Sequence, residues 1–167
     1  MSMIANLLRV TGEELKMYLN DSSLLEEKLD RVYEQEEDET LIDLDKAWEG
    51  ILFLLTGQGL ADLVESNHPL AKAILGGQTI DENQDLGYGP ALYLTPEQVQ
   101  DINRQIATVS NEEIAAAYNP NAMMEQGIYP EVWDEEALEY LMEYVDVLRN
   151  TYAVAAKNNE AIIAFIN

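Results

Sequence analysis

Residues Leu44–Leu55 set the strongest limit on how this chain can fold. Leu44, Ala47, Trp48, Ile51, Leu52 and Leu55 recur at the i, i+3, i+4, i+7 spacing of a helix, while Phe53 and Leu54 add apolar surface on the other side. A helix that is apolar nearly all round is stable only where neighbours cover it on several sides. Gly57 stands where a C-terminal glycine cap belongs. The segment is therefore predicted as the buried central helix. Its Trp48, Ile51 and Leu55 are expected to pack against a C-terminal strand around Ile162–Ile166 and a long helix near Leu141 and Val145.

The flanking residues supply elements that can do this covering. Met3–Val10 is short and apolar and reads as a strand. Thr11-x-x-Glu14 is a capping box, which opens a helix to about Leu19, and a second helical stretch covers Ser22–Tyr33. Glu34–Thr40 is a like-charge run and is expected to be a mobile loop. Gly57–Pro69 reads as a loop with one turn of helix, followed by a short helix Leu70–Leu75, a turn-rich segment and a strand at Ala91–Leu94. Thr95-Pro96 starts a helix that buries Val99, Ile102 and Ile106, and Ser110 starts another. Asn119–Pro130 is read as irregular or a single turn. Asp134 then caps a long helix to about Lys157, and Ala161–Ile166 is a buried strand. Helices dominate, and the short strands near the N-terminus, the middle and the C-terminus must meet in one small sheet. The expected class is α+β, a single helix-rich domain over residues 1–167.

Charge narrows the partners. The chain has 32 acids against 9 bases, a formal net charge of −23. That field repels phosphates and anionic headgroups, so nucleic acid and membrane surfaces are not expected partners. The acids cluster: ten acids and two bases lie between Glu26 and Asp45, and eight acids with no base between Glu125 and Asp146. Two readings of these clusters stand at this level, a solvated face that keeps the protein soluble and a landing surface for a basic protein partner. No apolar run is long enough to cross a bilayer and no leader pattern opens the chain, so a cytoplasmic location is expected.

Catalytic signatures are sparse. Cysteine is absent and His68 is the single histidine, which excludes thiolate chemistry and poly-histidine metal sites. His68 could act as a general base, but its place before Pro69 fits a capping residue equally well. Asp81-x-Asn83-x-Asp85 copies half a calcium loop, yet Leu86 and Leu92 stand where glycine and glutamate are required. No metal site and no cofactor are expected. The more selective signal is aromatic. Tyr88, Tyr129, Trp133, Tyr140 and Tyr144 lie in the second half, and such residues are enriched in interface cores. Tyr140 and Tyr144, one helical turn apart, form a stripe separate from the Leu138/Leu141/Val145 face.

Several strings together resemble a known family. DLDKAWEGILFLLTG (Asp43–Gly57), LGG (Leu75–Gly77), GYGPALYLTPEQV (Gly87–Val99), IYPEVW (Ile128–Trp133) and the closing helix-plus-strand are similar, in the same order, to the YfbM-like bacterial proteins of unknown function. The resemblance implies a single α+β domain and no particular activity. Members of that family often carry a histidine where this chain has Leu52. Three functional readings follow. The first is a non-enzymatic acidic binding protein, such as an immunity or antitoxin-like partner of a basic protein. The second is an enzyme or small-molecule binder with a cleft between the sheet and the central helix, lined by Trp48, Tyr129 and Trp133 with Glu125 as acid/base. The third is a homo-oligomer that uses the Tyr140/Tyr144 stripe. Trp133 lies in a loop segment, so Trp133→Ala is expected to cost less stability than Ile51→Ala.

Overall fold

A computed structural model describes residues 2–35 and 38–167. The chain runs β1 (Ala5–Thr11), α1 (Gly12–Asn20), α2 (Ser23–Glu34) and β2 (Leu41–Asp43), then a 3₁₀ turn (Asp45–Ala47) leading straight into α3 (Trp48–Thr56). After α4 (Leu60–Ser66) come a second 3₁₀ turn (Pro69–Ala71), α5 (Lys72–Leu75), β3 (Gln78–Thr79) and β4 (Leu92–Leu94). The second half is α6 (Pro96–Ala107), α7 (Asn111–Ala116), α8 (Pro120–Glu125), the long α9 (Ala137–Lys157) and β5 (Glu160–Ile166). Among the described residues no helix is long and apolar enough to cross a membrane.

The strands form one antiparallel sheet in the order β2-β1-β5-β4-β3. The first and last strands pair along their full length, from Ala5 opposite Ile166 to Thr11 opposite Glu160. Both sheet faces are covered, which is why β5 reads Glu-Ala-Ile-Ile-Ala-Phe-Ile with no polar alternation. Leu7, Ile162, Ala164 and Leu94 face the larger core with α3, α6 and α9. Leu8, Val10, Ile163 and Phe165 face a smaller one closed by Leu15 and Tyr18 of α1 and Leu25 and Leu29 of α2. The fold is thus a helix-rich α+β domain, as its pattern of elements implies.

Local signals hold closely. Thr11 and Glu14 exchange both bonds of a capping box, and Thr95 does the same with Gln98. Gly57 caps α3 in the left-handed region, at φ 75°. Asp134 Oδ1 accepts from the N–H groups of Glu136 and Ala137, and the long helix begins at Ala137, two residues later than a cap at Asp134 suggests. The Glu34–Thr40 expectation falls partly on residues 36–37, which lie outside the described residues.

Other expectations need correction. The central helix proper starts at Trp48, because Leu44–Ala47 is taken up by a tighter 3₁₀ turn. Trp48, Ile51 and Leu52 are fully buried, but Leu55 is only half-buried, since it lies at the end of the helix where covering elements run out. Gly57–Pro69 holds a two-turn helix, α4, rather than one turn, and Pro120 starts the short α8 with Asn119 as its cap. The edge strands β2 and β3 were not foreseen, as two or three residues carry no usable periodicity.

Candidate functional site: an acidic tyrosine groove

Folding joins the end of the first acidic run to the second. Residues 43–45 form a tight turn in which Asp43 Oδ1 accepts from the Asp45 N–H at 2.6 Å, with Asp45 at a positive φ of 49°. That geometry turns the Asp45 carboxylate toward α9, where it accepts a 2.6 Å hydrogen bond from the Tyr140 hydroxyl. Tyr140 packs edge-to-face on Tyr144 with ring centroids 5.1 Å apart, a favourable arrangement for paired rings. Burial, together with the bond to Asp45, pushes the Tyr140 phenol above the ordinary range. Burial also raises Tyr144, with further upward pressure from Asp45, Asp43 and Glu143. Both hydroxyls therefore stay neutral at physiological pH and can meet a partner as hydrogen-bonding groups.

Beside the pair lies an open groove of about 840 Å³ lined by Glu135, Glu136, Leu138, Glu139, Tyr140 and Glu143. Its lining carries four carboxylates and no base. Charge compensation is scarce elsewhere too. Among the described residues only two ion pairs form, Arg9–Glu160 at 2.7 Å and Arg104–Asp101 at 3.3 Å, and neither touches this groove. A surface of this kind attracts cations and repels anions.

The remaining aromatic candidates have other places. Trp48 is fully buried and its indole N–H donates to the Met3 carbonyl at 3.0 Å, while the Tyr129 hydroxyl accepts from the Met3 N–H at 2.9 Å. The two rings lie 6.0 Å apart and together hold the start of β1. Trp133 is 6% exposed, bonds the Ile128 carbonyl through its indole N–H at 2.8 Å, and lies against Gly50 of α3. Trp48 and Tyr129 thus lie side by side and Trp133 packs elsewhere on α3, and with these rings turned inward the expected cleft between sheet and central helix is filled. The loop wraps its indole inward because Gly50 leaves room for it. Glu125 is exposed at the end of α8, and Tyr88 is 46% exposed beside a separate apolar pocket of about 190 Å³.

The carboxylate that does meet these aromatics is Glu49, which sequence reasoning missed. It is 8% exposed; Oε1 accepts from the Leu60 N–H at 3.1 Å and Oε2 from the Tyr129 N–H at 2.7 Å. One side chain thereby satisfies the first turn of α4 and fixes the 128–130 loop on α3. A signal was available: Glu49 is the one charged residue within Trp48–Leu55, and an acid on an all-apolar helix has to be buried and bonded.

His68 Nδ1 accepts from the Leu70 N–H at 3.1 Å, so the histidine caps the following turn. Asp81 accepts from the Ser22 hydroxyl and the Asn83 N–H, and these bonds hold its carboxyl below the usual range. Asp85 is lowered likewise by the N–H groups of Gly87 and Gly89. These acids close turns. Among the described residues no group of three or more potential metal ligands comes together. Leu52 is fully buried in the larger core.

The profile of a family described as a domain of unknown function, DUF1877, matches residues 1–165. Protein YfbM of Escherichia coli (strain K12) is 24% identical over 143 residues, which cover 83% of this chain and 80% of that one. The crystal structure of YfbM from Escherichia coli, titled a protein of unknown function, superposes with a TM-score of 0.75 at 19% identity. The match covers 98% of this chain and 99% of the other.

Proposed function

As the chain belongs to the DUF1877 family, of YfbM-like proteins whose function is unknown, we propose a role from its own surface: a non-enzymatic, cytoplasmic binding protein that engages a basic protein partner. The observation that carries this reading is the groove lined by Glu135, Glu136, Glu139, Glu143 and Tyr140 with no base, beside which Asp43, Asp45 and Tyr144 gather around the Tyr140 ring. Like-charged side chains crowded without counterions cost folding free energy, and a cationic partner relieves that cost on docking. The tyrosine rings add cation–π contacts for lysine or arginine, worth about 0.5–1 kcal/mol each at an exposed site. Complementary charge also speeds the encounter, which suits an immunity or antitoxin-like protein that must capture a basic target quickly.

The test is affinity capture from host extract at low and high salt, with the Glu139→Lys/Glu143→Lys double variant beside the native chain. The proposal expects a basic protein retained at low salt, released at high salt and lost from the double variant. Absence of any such protein, or its equal retention by the variant, refutes the role.

A further inference from the structure

β2 ends the sheet on one side, since the strand order is β2-β1-β5-β4-β3. The direction of its peptide groups follows from the bonds at its two ends. The Arg9 N–H donates to the Thr40 carbonyl at 2.8 Å, and the Leu44 N–H to the Ala5 carbonyl at 2.9 Å. Both bonds belong to the register in which Leu7 faces Ile42. Residues 40, 42 and 44 therefore turn their peptide groups toward β1, and Leu41 and Asp43 turn theirs outward. Among the described residues no hydrogen-bond partner meets the outward N–H and carbonyl of Leu41 or Asp43. Such an edge is a template for a further strand.

The side chains along the edge decide which strand it accepts. Leu41 and Asp43 line a groove of about 230 Å³ with Tyr33, Gln35 and Asp38, and no base lines it. The Thr40 hydroxyl and N–H, aided by Lys28 and Arg9, hold the Asp38 carboxyl below its usual range, so it stays ionised. Arg9 itself is paired with Glu160 at 2.7 Å. Ile42 takes the other face of the sheet, where Tyr140 and Tyr144 also pack on the larger core. A second copy's β2 would bring Asp38, Asp43 and Asp45 against the same three acids. The edge thus disfavours pairing with itself and favours a cationic strand.

We propose that the outer edge of β2 receives an extended segment of the basic partner as an added strand, with alternate lysines or arginines set over Asp38 and Asp43. Successive residues of a strand point to opposite faces, so the residues between those bases fall on the Ile42 side and are apolar. The inference rests on the role proposed above and gives its partner a chemistry: a flexible segment of alternating basic and apolar residues. Main-chain bonds to Leu41 and Asp43 supply affinity, and the places for alternate side chains supply specificity.

Calorimetric titration of the full chain with the capped peptide Lys-Val-Lys-Val-Lys-Val-Lys at low salt tests this. A copy of the peptide methylated on every backbone nitrogen keeps the charge and loses the strand-forming donors, so it should bind at least about tenfold more weakly. Hydrogen exchange at the Leu41 and Asp43 amides should slow when the unmethylated peptide is bound. The double variant Asp38→Asn/Asp43→Asn keeps oxygen acceptors for the Thr40 and Asp45 N–H groups and removes two charges. It should also bind at least about tenfold more weakly, with an unchanged circular dichroism spectrum. No binding of the alternating peptide overturns the proposal. So does equal binding of the methylated copy, or exchange at the two amides that the peptide leaves unchanged. In those cases a salt-sensitive basic protein captured from extract would still uphold the binding role. Failure of that capture refutes the role, whereas the peptide titration reads the strand edge alone.

Discussion

Replacing Glu49 by alanine removes the acceptor for two backbone N–H groups, those of Leu60 and Tyr129, at 3.1 and 2.7 Å. A hydrogen bond to a charged acceptor contributes about 1.5–3 kcal/mol, and a buried donor left without a partner costs about 1–3 kcal/mol. Leu60 and Tyr129 are half-buried, so water recovers part of the loss. The expected destabilisation of Glu49→Ala is therefore about 2–4 kcal/mol, a large fraction of the ~5–15 kcal/mol typical of a domain. Glu49→Gln keeps one carbonyl acceptor but turns its NH₂ toward the other N–H donor, so about 1.5–3 kcal/mol is expected. Urea unfolding reads both, and at a slope of about 2 kcal/mol/M the alanine midpoint falls by roughly 1–2 M. Hydrogen exchange gives the local signature, faster at the Leu60 and Tyr129 amides than elsewhere in the native state. An alanine variant within ~0.5 kcal/mol of the native chain would refute the reasoning, because the clamp would then be replaceable by solvent.

Further outcomes follow from the same packing. With its indole buried on α3, Trp133→Ala should cost about 3–5 kcal/mol, comparable with the ~2–5 kcal/mol of Ile51→Ala and contrary to the expectation from its loop position; paired denaturant melts decide between the two. In Gly50→Ala the new Cβ would lie 2.7 Å from Trp133 Cη2 and 2.8 Å from Leu141 Cδ2, so overpacking of about 1–3 kcal/mol exceeds the ~1 kcal/mol gain in helix propensity. A lower melting temperature is expected, and a higher one would show that Trp133 yields easily. At alkaline pH the unfolded phenols lose protons near pH ~10, whereas Tyr18, raised to about 12 chiefly by burial and then by Glu14, keeps its proton in the fold, as does Tyr140. The folded state then binds more protons than the unfolded one. Stability should fall as pH rises from about 10 toward 12, and the fall should be shallower in Tyr140→Phe. Urea melts across that window check the sign, and a flat profile refutes it.

What the sequence alone determined is local. Thr11 with Glu14, Thr95 with Pro96 and Gln98, Ser110 with Glu113 and Gly57 after α3 each act within one helical turn, so residue type and spacing suffice to place them. The apolar run at Trp48–Leu54 and the closing strand also announced their burial, since no solvent-facing element tolerates such surface. The tertiary structure decided whatever depends on distant partners. Asp45 and Tyr140 are 95 residues apart and Glu49 and Tyr129 are 80, and no spacing rule joins them. Which of 32 acids is buried, which aromatic turns inward onto Gly50 and which stays in the groove depend on shape and on the backbone N–H groups left over once helices and sheet have formed. Those are properties of the packed chain, because a hydrogen bond or a close contact acts over ångströms in space and is indifferent to separation along the sequence.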